Sequence, residues 1–118
     1  MAAKPTPADT TAPAAISDLS ITGQTTTTID LQWTSPADAV GGGYVIKYRT
    51  ADALSETNWN YSSTVVVLGI SSPQAGGNTE THTVTGLTTG TTYYFDIKTF
   101  DDTYNQSDLS NGTSGATS

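Results

Sequence analysis

The chain has 118 residues, with 11 acidic and 4 basic residues, a formal net charge of −7 and no cysteine. This length fits one domain that buries its own core. The acidic balance argues against nucleic acid and anionic membranes as partners, because both are recognised through Lys and Arg. The lack of cysteine excludes disulfides, thiolate metal sites and thiol nucleophiles. No apolar run has the length needed to span a membrane.

The first 13 residues are rich in Pro, Thr and Ala and predict an extended linker or a cloning scar. They contain Lys4 but no apolar segment of the signal-peptide type. We therefore expect either a cytoplasmic protein or a module of a longer secreted one. A folded domain is predicted over residues 14–115, with a short tail over 116–118.

Short segments with alternating apolar and polar residues follow, separated by turns rich in Gly, Pro, Asn and Ser. The predicted strands lie within residues 15–22, 25–35, 44–50, 59–68, 80–87, 91–100 and 107–118. Helical periodicity is lacking, and one helical turn before Trp59 is the most that the pattern allows. Seven short strands predict an all-β fold, a seven-stranded antiparallel β-sandwich of immunoglobulin-like type.

Three adjacent aromatic residues, Tyr93, Tyr94 and Phe95, suggest either a binding platform or a strand that hides two of its rings. Strand parity directs Tyr93 and Phe95 into the core, and of the three rings only Tyr94 is expected to face solvent. The run is therefore interpreted as mainly structural. The same parity directs Ile29, Leu31 and Trp33 inward from the second strand.

The segment 87–93, LTTGTTY, resembles the turn-and-strand signature of fibronectin type III domains, as do Trp33 and Tyr48 on their strands. The stretches DTTAPAAISDLS and FDDTYNQSDLSN resemble the versions found in microbial extracellular proteins. The resemblance covers about Pro13 to Thr113.

The resemblance implies that Trp33, Tyr48, Leu87 and Tyr93 stabilise the fold. It also implies that Tyr93 forms a tyrosine corner, with its hydroxyl bonded to nearby backbone. No Arg-Gly-Asp tripeptide is present, so integrin-type adhesion is not implied.

Lys47, Arg49 and Lys98 are three of the four basic residues, and parity places them on the outer face of one sheet, near Tyr94 and Asp96. We interpret them as members of cross-strand charge pairs. The alternative is a recognition patch in which Tyr94 stacks on a sugar ring or on a protein partner.

Trp59 and Tyr61 precede the uncharged run TVVVL at residues 64–68. We expect the two rings to pack against the domain, whereas exposed rings would suit carbohydrate stacking. The run itself is expected to be paired or covered, because an open edge of this composition promotes aggregation. The ligand-binding candidates are thus Trp59, Tyr61, Tyr94, Lys47 and Arg49.

Asp101, Asp102, Asn105 and Asp108 cluster in the last long loop. We favour a turn-capping role through Asx-type hydrogen bonds. A calcium site is the alternative, because hard cations bind several oxygen ligands on flexible loops.

His82, the single histidine, lies in a Thr-rich segment and is interpreted as a surface strand residue. The sequence Gly41 to Tyr44, GGGY, precedes a strand rather than a helix and predicts a flexible connection, not a phosphate cradle. We expect no catalytic residue, no cofactor and no resident metal, so the chain is not expected to be an enzyme.

These observations favour a non-catalytic spacer or interaction module of a larger secreted or cell-surface multidomain protein. The expected partners are neighbouring domains of that protein, and the isolated module is expected to be a monomer. The alternative function is a module that binds carbohydrate or a protein ligand, including use as an engineered binding scaffold.

Overall fold

The computed structural model describes residues 11–118, so most of the predicted N-terminal linker lies outside the described residues. The strands are β1 (Ser20–Gln24), β2 (Ile29–Thr34), β3 (Gly43–Arg49), β4 (Val65–Val66), β5 (Thr79–Val84), β6 (Thr92–Phe100) and β7 (Thr113–Ala116). Across this part of the chain, no helix is long and apolar enough to cross a membrane. The predicted all-β, seven-stranded fold is confirmed.

The strands form two antiparallel sheets, one in the order β1-β2-β5 and the other in the order β4-β3-β6-β7. The pairing of β3 with β6 sets Tyr48 opposite Phe95 and Lys47 opposite Asp96. The prediction that Lys47, Arg49 and Lys98 belong to one sheet is therefore confirmed.

The core lies between the sheets and is built from alternating residues of each long strand. Ile29, Leu31 and Trp33 of β2 are buried, as are Phe95 and Ile97 of β6. Because residues at i and i+2 lie on one face of a strand, a period-two apolar pattern produces this layer directly.

Tyr93 forms the predicted tyrosine corner. Its ring is buried, and its hydroxyl oxygen accepts a hydrogen bond of 2.7 Å from the backbone N–H of Thr88. The ring also meets Tyr48 edge-on, with 5.2 Å between the centroids. The turn that precedes β6 is thereby fixed to the strand that follows it.

The predicted strand over residues 59–68 is wrong for most of its length, because only Val65–Val66 pairs with β3. Residues before β4 form turns instead: the N–H of Trp59 bonds to the carbonyl of Ser55 at 3.0 Å, which is the predicted single helical turn. The uncharged run is paired on one side only, and Leu68 is exposed.

The chain reaches β1 through a segment without strand pairing, although Ile16 and Leu19 are buried. The side chain of Asn111 bonds both the N–H and the carbonyl of Leu19, at 2.8 and 2.9 Å. At the other terminus β7 extends into the predicted tail, and the buried hydroxyl of Thr117 donates to the carbonyl of Thr88 at 2.6 Å.

Candidate functional site

The outer face of β3 and β6 holds the basic residues that the sequence suggested as a patch. The Nζ of Lys47 donates to the carbonyl of Trp59 at 3.1 Å and to Oδ1 of Asn60 at 3.3 Å. The Nζ of Lys98 forms an ion pair of 2.7 Å with Glu56. Both ammonium groups lie over the Trp59 ring, at 4.6 and 5.3 Å from its centroid.

Arg49 is the most enclosed of the three basic residues, with 8% of its surface exposed. Its Nε donates to Asp52 at 2.6 Å, and its Nη1 donates to Ser63 at 2.8 Å and to Thr64 at 2.9 Å. These donors bind both ends of the segment that connects β3 to β4. Arg49 therefore anchors the β3–β4 connection rather than forming the expected cross-strand charge pair.

Trp59 is 5% exposed and covers the outer face of the sheet. Its position is set by a turn in which the Asn58 side chain accepts from the N–H of Ser55 at 2.8 Å. With Lys47 and Lys98 over its ring, Trp59 does not present a stacking surface.

Tyr61 and Tyr94 are the remaining aromatic candidates. Tyr61 is 51% exposed, and the guanidinium of Arg49 lies 5.7 Å from its ring centroid. Tyr94 is half-buried and lies on the wall of a cavity beside Leu54. The structure therefore separates the five candidates: Lys47 contacts Trp59, Arg49 contacts Tyr61, and Tyr94 belongs to the cavity.

Asp96 lies at this cavity and is 3% exposed. Its Oδ1 accepts a hydrogen bond of 2.7 Å from the hydroxyl of Ser110. Burial raises the pKa of the Asp96 carboxyl to about 6, and the negative charge of Glu56 adds to this, while the Ser110 bond opposes it.

Asp101 organises the loop between β6 and β7 from a buried position. Its Oδ1 accepts from the N–H groups of Thr103 and Asn105, both at 3.0 Å, and its Oδ2 accepts from the Asn105 amide at 3.1 Å. The predicted turn-capping role is confirmed for Asp101. In residues 11–118 no group of three acidic or histidine side chains could hold a metal ion.

The same loop displays Tyr104, which sequence reasoning did not single out. Tyr104 has a positive φ of 65° and is 81% exposed. Its ring stacks on Phe100 with 6.0 Å between the centroids and 24° between the planes. A bulky residue in the left-handed region is uncommon, and the Asp101 hydrogen bonds hold this conformation.

Phe100 is in turn held against the start of β3. A Cβ at Gly43 would come within 2.4 Å of the Phe100 ring, so the glycine permits the close approach. Residues 41–44 were expected to form a flexible connection, but the C-terminal end of this segment packs against Phe100.

His82 lies half-buried on β5, in a groove of about 340 Å³ that Tyr48 and Val65–Leu68 also line. Burial lowers its pKa. Its side chain makes no hydrogen bond with any other of the described residues. Nothing in this arrangement orients the imidazole as a general base.

Comparison with protein families matched a model of the fibronectin type III domain to residues 13–115. A search of curated proteins found no match.

Solved structures of similar fold include one described as a myokine, with a TM-score of 0.62 and 15% identity, covering 89% of this chain and 97% of that one. A structure of consecutive titin domains has a TM-score of 0.62 and 16% identity over 89% of this chain, which spans 32% of the titin fragment. The fibronectin type III domain of human fibronectin type III domain containing protein 3 has a TM-score of 0.61 and 20% identity, with coverages of 92% and 89%. At these identities the likeness concerns the fold alone.

Proposed function

The chain belongs to the fibronectin type III family, and on that premise we propose that it is a non-catalytic spacer or interaction module of a larger multidomain protein. The proposal includes a secreted or cell-surface location. That part is supported by the resemblance of residues 9–20 and 100–111 to microbial extracellular versions of the domain.

The observation that carries the proposal is where the chain enters and leaves the sandwich. Before β1, Asp18 accepts from the N–H of Thr34 at 2.9 Å, which places this segment at the end of β2. At the other terminus the N–H of Ser118 donates to the carbonyl of Thr25 at 2.9 Å, beside the start of β2. The six residues of β2 span roughly 20 Å, so domains joined on either side would be held at opposite ends.

The basic residues on the outer face of β3 and β6 support the same proposal. Lys47, Arg49 and Lys98 direct their charged groups to the β3–β4 connection rather than outward. These contacts join the connection, which contains the buried Trp59, to the sheet. A domain braced in this way would hold its neighbours at a set distance.

Spin-label distances test the spacer directly, because the chain has no cysteine of its own. We would label Ala14→Cys together with Ser118→Cys, and use Thr26→Cys with Ser118→Cys as the matched pair at one end. We expect one narrow distribution for each pair, with the first distance longer by roughly the 20 Å rise of β2. A broad first distribution, or equal means, would contradict a rigid spacer.

In the parent protein, replacing this domain by another family member with an unrelated surface should preserve function. Replacement by a Gly/Ser linker should not, because such a linker behaves as a flexible coil. Loss of function in the first exchange would show that the surface itself is required.

A second candidate function, ligand binding, is favoured by the Phe100–Tyr104 stack. One face of the Tyr104 ring packs on Phe100, and the side chain is otherwise open to solvent. Aromatic faces of this kind suit sugar rings or a partner's apolar side chain.

A panel of soluble polysaccharides, read by tyrosine and tryptophan fluorescence, tests this second function. Binding that is lost in Tyr104→Ser and kept in Tyr61→Ser would establish the stack as a ligand site. Trp33 and Trp59 are both buried, so we expect weak quenching of their emission with or without a glycan. If no glycan causes a saturable change, glycan binding is rejected and the spacer function remains as the proposal.

A further inference from the structure

We propose that the cavity between the β3–β4 connection and the outer face of β6 and β7 is a binding site for an organic cation, a primary ammonium or guanidinium group. The cavity has a volume of about 230 Å³. It is lined by Ala53, Leu54, Tyr94, Phe95, Asp96, Gly112, Thr113 and Ser114. The site goes beyond the spacer function, which does not require it.

The first argument is the state of the Asp96 carboxylate. One oxygen, Oδ1, accepts from Ser110, whereas Oδ2 makes no hydrogen bond within residues 11–118. Oδ2 faces Gly112, at 3.5 Å from the point where a Cβ would stand. Since Gly112 also lines the cavity and has no side chain, this oxygen is left open to a donor that enters there.

The second argument is that no basic residue in the part of the chain that the structure describes forms an ion pair with Asp96. The cross-strand neighbour of Asp96 is Lys47, yet the Lys47 ammonium bonds the carbonyl of Trp59 instead. Lys98 pairs with Glu56. Neither ion pair among the described residues involves Asp96. Buried carboxylates are ordinarily paired, because an isolated buried charge is costly.

The third argument is the shape and lining of the cavity. Leu54 and the half-buried Tyr94 provide apolar and aromatic wall, while Thr113 and Ser114 add polar residues to the lining. A methylene stem fits the wall, and a cation beside Tyr94 gains from the ring quadrupole. A volume below the roughly 300 Å³ of ordinary ligand pockets suits a group the size of one side chain.

The cation has two sources with the same chemistry: a Lys or Arg side chain of a partner protein, or a free small amine. The net charge of −7 favours the approach of either.

Titration followed by NMR tests the site, with butylammonium and butylguanidinium as probes and 1-butanol as the neutral control. We expect saturable shifts of the Asp96 carboxyl carbon and of the amides of Leu54 and Ser114 with both cations. In Asp96→Asn the affinity should fall at least tenfold, whereas the exposed-site control Asp38→Asn should keep it. Equal shifts with 1-butanol would overturn the proposal, since the cavity would then recognise only the apolar stem. Unsaturable shifts spread over exposed carboxylates would overturn it as well.

A capped Gly-Gly-Lys-Gly-Gly peptide then distinguishes the two sources. Tighter binding of the peptide than of butylammonium supports the side chain of a partner protein as the natural occupant. Exclusion of the peptide, with butylammonium still bound, supports a free amine. Failure of every cation to bind, while the spin-label distances stay narrow, would reject this site and leave the spacer function intact.

Discussion

The two faces of β6 carry residues of the same strand into different surroundings. On the inner face Tyr93, Phe95 and Ile97 pack among apolar side chains of the opposite sheet. On the outer face Asp96 is equally buried, but it lies beneath the β3–β4 connection, at a cavity that Leu54 and Tyr94 line together with Thr113 and Ser114. Alternation along a strand therefore predicts which face a residue occupies. Whether that face is exposed depends on whether another segment of the chain packs over it.

The two faces of β6 are stabilised by different kinds of interaction. The inner face is stabilised by burial of apolar area, which is non-directional and large. The outer face is covered through directional contacts, above all those of Arg49 and of the two lysines. We expect the inner face to dominate stability and the outer face to be sensitive to charge and pH.

Phe95→Ala should have the largest effect, a loss of about 3–5 kcal/mol in the free energy of unfolding, because it leaves a cavity in the core. Denaturant unfolding of the purified variant measures this. The adjacent outer-face variant Tyr94→Ala is the control and should lose less than half as much. Equal losses would remove the distinction between the faces.

Arg49→Ala should cost about 2–3 kcal/mol, because several hydrogen bonds to the β3–β4 connection are lost together. Quenching of Trp59 fluorescence should rise as the connection loosens. Asp52→Ala removes only the exposed ion-pair partner and should cost less than about 1 kcal/mol. A larger loss in the Asp52 variant would mean that the ion pair, rather than the buried contacts, holds the connection.

Asp96→Asn should stabilise the domain near pH 7 by about 1–2 kcal/mol, because it removes a buried charge and keeps an acceptor for Ser110. The folded pKa of about 6 lies above the ordinary value of 3.8. Between these values the folded state binds more protons than the unfolded state, so stability of the native protein falls as pH rises.

Unfolding measured from about pH 4 to pH 7 checks this sign. The advantage of the Asp96→Asn variant should vanish near pH 4, where the native carboxyl is protonated. Asp38→Asn, which removes an exposed carboxylate, is the control for the loss of one charge. A constant advantage at every pH would contradict the role of burial.

Tyr93→Phe should have the smallest effect, about 1 kcal/mol, because only the bond from the Thr88 N–H is lost. Thermal unfolding measures it. Tyr48→Phe is the matched aromatic control and should be closer to neutral. An unchanged stability in Tyr93→Phe would mean that the tyrosine corner contributes packing alone.

The candidate site was predictable only in part. The outer-face position of Lys47 and Lys98 follows from strand parity, and the Asp101 capping role follows from Asx chemistry. The packing of Trp59 agrees with the expectation from the sequence, whereas that of Tyr61 does not, since its ring is half exposed. The failure of residues 59–64 to form a strand does not follow from the sequence, because donors of Arg49 reach Ser63 and Thr64 from β3. The sequence around Tyr104 shows only that it lies in a polar loop. The exposed position of its ring depends on the loop hydrogen bonds of Asp101 and on the stack with Phe100.

The sequence by itself determined the all-β class, the inward faces of β2 and β6 and the Tyr93 corner. Each of these depends on residues close in sequence, through period-two alternation or a turn of a few residues. The tertiary structure decided the length of β4, the cover over the outer face and the cavity at Asp96. Those features depend on contacts between strands far apart in the chain, and a local pattern does not encode which segment folds back over a given face.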